Sequence, residues 1–132
     1  MKKIQALFIF SLLLISCSKD NDTATSQNTV TYAAFGYFKG AVSYPNEEPI
    51  PLIFILEESN KLLVVQNSNT INESNNLLKG SFTLTGNQIS GSYVNANILP
   101  PTTFNFSGSF DIKTAKISGT IGTGILNLEK RI

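Results

Sequence analysis

Cys17 is the only thiol in this 132-residue sequence, and no histidine accompanies it. A thiolate nucleophile needs a base such as His, and a zinc ligand needs further His or Cys. Cys–His catalysis, an intrachain disulfide, a CxxC pair and a thiolate cluster are therefore all closed to the chain. Six of the nine carboxylates come as near neighbours in sequence: Asp20-Asn21-Asp22, Glu47-Glu48 between Pro45 and Pro49, and Glu57-Glu58 at the end of an apolar run. Glycosidase chemistry needs two carboxylates facing one another about 5–10 Å apart. Adjacent strand residues point to opposite faces, so Glu57 and Glu58 diverge. Asp20-Asn21-Asp22 lacks the Gly and Glu that complete a calcium loop. A serine nucleophile without His needs a lysine base, and Ser-x-x-Lys does not occur beyond Lys19. Any catalytic reading would rest on Glu47, Glu48, Glu57 and Asp111. The expectation is a non-enzyme that holds no metal and no cofactor.

Cys17 has a setting of its own. Met1-Lys2-Lys3 is followed by an apolar run from Ile4 to Ile15 and then Ser16-Cys17. A basic start, a short apolar segment and a small residue before a cut make a secretory signal peptide. The run falls short of the roughly 20 residues that span a bilayer. Leu14-Ile15-Ser16-Cys17 resembles the lipobox of bacterial lipoproteins: an aliphatic residue, a short variable position, a small residue, then Cys. The resemblance implies removal of residues 1–16, a diacylglycerol on the Cys17 sulfur and an acyl chain on the new amine. Each buried methylene adds about 0.8 kcal/mol, so several acyl chains on one residue hold a protein stably on a bilayer. Ser18 stands where Asp signals inner-membrane retention in some Gram-negative bacteria, which points to the outer membrane of the envelope. The Ser18-Lys19-Asp20-Asn21-Asp22 run resembles the tag that carries some lipoproteins to the cell surface. Residues 17–30 are polar, rich in Ser, Thr, Asn and Asp, and read as a tether.

Loss of Lys2 and Lys3 takes the basic count from 10 to 8 against 9 acidic residues, a net charge of −1. The chain thus carries no electrostatic footprint for nucleic acid, and attachment rests on acyl chains. The expected partners are the membrane, through the anchor, and a small molecule or a protein.

The chemistry, if any, must be positioned by β structure. From residue 31 to 132 apolar residues alternate at period two between clusters of Pro, Gly and Asn. The alternation predicts strands at 32–44, 50–58, 61–66, 77–85, 88–95, 103–112, 115–122 and 124–130. A motif of apolar residue, Lys or Ser, Gly, small residue, apolar residue occurs five times, centred on Gly40, Gly80, Gly91, Gly108 and Gly119. The glycines fall on the apolar face, where they permit strand coiling or close approach of another backbone. About eight antiparallel strands predict an all-β, up-and-down barrel, with a two-sheet β-sandwich as the alternative. The strand rhythm resembles that of avidin-type and lipocalin-type barrels, without the Trp walls that biotin needs. A barrel of this size holds packed side chains or one small ligand.

Two candidate sites follow from the faces. Phe82, Tyr93, Phe106 and Phe110 point inward and would line a ligand cavity. Phe35 and Tyr37 share the outward face of the first strand with Lys39 and would meet a partner, together with strand 50–58, which is apolar on both faces.

Overall fold

Clusters of Gly, Asn and Pro interrupt the alternation, and the chain reverses at each interruption. The structure is a computed structural model that describes residues 34–71 and 77–131. Eight strands follow in order: β1 (Gly36–Ser43), β2 (Ile50–Glu57), β3 (Lys61–Gln66), β4 (Leu78–Thr85), β5 (Gln88–Asn95), β6 (Thr102–Asp111), β7 (Lys116–Ile121) and β8 (Gly124–Arg131). Each pairs antiparallel with the next, and β8 returns to β1, with Gly40 opposite Leu128 and Val42 opposite Leu126. The sheet is a closed barrel and not a sandwich. The first strand is shorter than the alternation predicts. Ala34 is helical and fully buried, and the ladder begins at Gly36. Residues 32 and 33 lie outside the described residues.

Period two decides what fills the barrel. Phe38, Phe54, Val64 and Leu78 stand side by side across β1 to β4 on the inner face. Aromatic rings cross the interior to meet them. Phe38 contacts Phe110 edge-on at 5.9 Å between centroids. Phe54 lies 5.0 Å from Phe106 and 6.0 Å from Tyr93, and Tyr93 stacks on Phe104 at 5.3 Å. Among the described residues the Tyr93 phenol is the most polar side chain that is buried. Phe54 sits at the hub of this network, fully buried. Phe54→Ala is expected to cost about 3–5 kcal/mol. It should lower the urea midpoint at unchanged slope in equilibrium unfolding.

Strand β2 is covered on both faces. Leu52, Phe54 and Leu56 point inward. Ile53 and Ile55 point outward, yet remain only 4% and 8% exposed, and form a satellite cluster with Val65 and Leu63 of β3. Part of the cover is visible. Asn69 and Ile71, from the long connection after β3, border the same groove as Ile53.

The two ends of the barrel differ. The chain enters at one end, which also carries the tight turns 58–60, 86–87 and 112–115 and the end of β8. At that end each turn extends the ladder one strand further. The carbonyls of Asn60, Asn87 and Ala115 accept hydrogen bonds from the amides of Phe82, Phe110 and Lys130. Asn60 and Ala115 adopt positive φ to do so. The opposite end carries the longer connections 44–49, 67–77 and 96–101. Loops on a rigid scaffold are the usual carriers of recognition.

Candidate functional site

Phe82, Tyr93, Phe106 and Phe110 are brought together inside the barrel. Their exposures are 3, 1, 3 and 1%. A ligand-sized void would leave these side chains with surface facing it, so they stand as packed core, with Phe54 against Tyr93 and Phe106, and Phe38 against Phe110. Tyr93 carries the one ionisable group in this set. Burial first, and the neighbouring Tyr44 phenol second, push its hydroxyl well above the usual tyrosine range. It therefore stays neutral at any physiological pH and offers no acid–base chemistry there.

The carboxylates do not converge. Glu47 and Glu48 lie in the 44–49 connection at the loop end. Glu57 and Asp111 lie at the opposite end, about 24 Å away for an eight-residue strand at roughly 3.4 Å per residue if strand tilt is neglected. Glu57 is held 2.9 Å from Lys61 across the β2–β3 turn. The Asp111 carboxylate accepts a hydrogen bond of 2.9 Å from the Lys113 amide. That bond, helped by the Thr114 hydroxyl, lowers its pKa. A carboxyl lowered on folding favours the fold above its unfolded pKa and ceases to do so as pH falls through the folded value. Asp111→Asn keeps an acceptor for the Lys113 amide but removes the titration. It is expected to flatten the acid limb of stability, matching the parent chain in acid, where Asp111 is protonated, and falling modestly below it at neutral pH, where the carboxylate's contribution is lost. Thermal melts from pH 2 to pH 7 check this.

No family model, curated protein or solved structure matches this chain. The site must be built from its own residues.

The outer wall offers grooves, and its surface character changes across β2, β1, β8 and β7. Register places Ile55, Tyr37 and Arg131 in one row, and Ile53, Lys39, Glu129 and Lys116 in the next. A groove of about 400 Å³ follows the polar side, bordered by Lys39, Lys116, Asn127, Glu129 and Arg131. A second, of about 320 Å³, follows the apolar side, bordered by Tyr37, Ile53 and Ile71 and again by Lys39 and Arg131. Among the described residues, Lys39, Lys116, Arg131 and Glu129 form no ion pair. Tyr37 is 49% exposed, as its outward position predicts, and Phe35 is half-buried just ahead of β1.

A third groove, of about 450 Å³, lies near the loop end beside Leu77, Lys79 and Val94. The adjacent 96–101 connection holds Ile98 and, at 88% exposure, Leu99. Cys17 lies outside the described residues. Sequence reading placed Tyr37 and Lys39 on the outward face but missed their junction with Arg131 and Lys116. That junction exists only because β8 closes on β1, a pairing between residues some ninety positions apart in the chain. The paired signal was present in the alternation of β8, where Asn127, Glu129 and Arg131 share the face opposite Leu126 and Leu128.

Proposed function

We propose that this chain is a lipid-anchored protein of the bacterial envelope, at the outer membrane, whose barrel is a binding module and not a catalyst. The anchor is Cys17, acylated after removal of residues 1–16, and residues 17–30 are the tether. The ligand is a small molecule or lipid, recognised on the outer wall. The observation that carries this reading is the pair of grooves on the outer wall that hold uncommitted polar groups. The dispersal of the carboxylates to opposite ends supports a non-catalytic role.

A second reading, a protein-interaction module that inhibits or completes an envelope complex, is favoured by the exposed Ile98 and Leu99 at the loop end. Exposed apolar side chains grouped on one surface mark contact sites.

Native mass spectrometry of the mature chain, cross-linked in its own envelope and then extracted, tests both. An added mass below roughly a kilodalton supports the first reading, since drug-sized and lipid ligands fall there. A stoichiometric second polypeptide supports the second. A bare chain in repeated extracts overturns the binding role.

A further inference from the structure

We infer that the junction of the two wall grooves on β2, β1 and β8 is a binding site for one anionic amphiphile, its head held by Lys39 and Arg131 and its apolar body laid over Tyr37 and Ile71. This rests on the reading of the barrel as a binding module and names the ligand class for one of its surfaces.

The argument starts from register. Directly opposed side chains on neighbouring antiparallel strands lie about 4.5–5.5 Å apart at Cβ, and residues i and i+2 about 6.8 Å apart along a strand. Tyr37 opposes Arg131, and Lys39 opposes Glu129, which in turn opposes Lys116. Three cations thus stand around one carboxylate, an excess of two positive charges within a few strands' width. The mature chain as a whole is net negative, so this excess is local. Register alone would favour a ladder in which Glu129 pairs with both lysines, yet among the described residues neither pair forms. Those cations keep their hydrogen-bonding capacity for an incoming anion.

The apolar half is equally local. Ile53 and Ile55, the β2 partners of Lys39 and Tyr37, are themselves covered, and the accessible apolar surface of this groove comes from Tyr37 and Ile71, 49% and 42% exposed. Ile71 closes the far side of the groove. Lys39 and Arg131 border both grooves and mark the line where the wall changes from apolar to cationic. A simple phosphate would use only the cationic half. A neutral apolar molecule would use only the other, and would leave the lysine and arginine heads without a counter-charge. One molecule that carries both an anionic head and an apolar body satisfies the two halves at once. Charge-assisted hydrogen bonds to the arginine fork and the lysine ammonium supply the polar share.

The test uses the mature chain, residues 17–132 carrying Cys17→Ser so that no acyl chain competes, and dodecyl phosphate below its micelle concentration. Saturable uptake of one dodecyl phosphate is expected by titration calorimetry, with much weaker binding of inorganic phosphate and of neutral dodecyl maltoside. The double variant Lys39→Glu, Arg131→Glu should bind at least about tenfold more weakly. Tyr37→Ser should also weaken binding. Lys79→Glu, a charge reversal beside the separate groove near Leu77 and Val94, should leave it unchanged.

Uptake that survives the double charge reversal, or that falls with Lys79→Glu instead, overturns the site. Equal affinity for dodecyl maltoside overturns the anionic head. Sedimentation with phosphatidylglycerol vesicles without saturable monomer uptake overturns a single-molecule site in favour of a membrane surface. If no amphiphile binds while the cross-linked chain still carries a partner, this inference fails and the binding module stands. If neither is found, both fail.

Discussion

In cells that make Cys17→Ala, the mature, membrane-held form of this chain is expected to disappear. The precursor, longer by residues 1–16, should accumulate. A metabolically supplied radiolabelled fatty acid should no longer enter the protein. The size of the effect follows from what holds the chain. A single myristoyl chain gives only marginal binding, whereas two or more acyl chains, at about 0.8 kcal/mol per buried methylene, give stable attachment. In the proposed reading the acyl chains are the attachment. The mature chain has 8 basic and 9 acidic residues, which denies it the polybasic contact that reinforces weaker anchors. No helix among the described residues is long and apolar enough to cross a membrane. The signal's apolar run from Ile4 to Ile15 is shorter than a span needs. Cys17→Ser provides the closest isostere and should behave as Cys17→Ala does, because thioether formation needs the sulfur. A labelled, normally processed Cys17→Ala chain would remove the anchor from the proposed function and leave the barrel's binding surfaces to be explained without it.

The β architecture was legible because the turn chemistry and the alternation agree along most of the chain. Strands β3 and β5 span Lys61–Gln66 and Gln88–Asn95, as the sequence predicts. Their limits are written by Ser59-Asn60, Gly86-Asn87 and the Asn-rich stretches that follow. The barrel was legible at one further remove, through glycines recurring on the apolar face. The start of β1 was less so. Tyr32 and Phe35 suit a strand by propensity, but Ala33 and Ala34 between them favour helix, and Ala34 is helical and buried.

The candidate sites were legible only by face. Alternation places Phe82, Tyr93, Phe106 and Phe110 inside. It does not say whether they line a void or fill it, since that depends on which rings meet across the barrel, and so on the register of all eight strands. Phe54 meets Phe106 and Tyr93 from the opposite wall, a contact that no local window contains. The Lys39–Arg131 junction was hidden for the same reason.

Gly119→Ala is expected to be among the most destabilising single-carbon additions this chain can receive. A Cβ at Gly119 would lie 2.1 Å from the Ser107 carbonyl oxygen and 2.6 Å from the Gly108 Cα. A Cβ on its partner Gly108 would lie 2.3 Å from the Ser118 oxygen and 2.8 Å from the Gly119 Cα. These are backbone atoms of the neighbouring strand, with no flexible side chain able to swing aside. The two glycines oppose one another across β6 and β7, so the added carbon must push the strands apart. That movement breaks ladder hydrogen bonds on both sides of a closed ring, where no free edge exists to absorb it. A cost above about 4 kcal/mol belongs to such cases, against a total stability of roughly 5–15 kcal/mol for a domain.

Gly86→Ala supplies the contrast. Gly86 has φ of 61°, and an added Cβ there would meet nothing within 4 Å. Its cost should be the intrinsic penalty of the left-handed region alone, about 1–2 kcal/mol. Paired urea titrations of the two variants separate the explanations. A much larger drop for Gly119→Ala means that close strand approach, not backbone freedom, is why glycine recurs on the inner face. Equal drops would mean that the strands can yield, and the repeated glycines would then reflect only local strand bending.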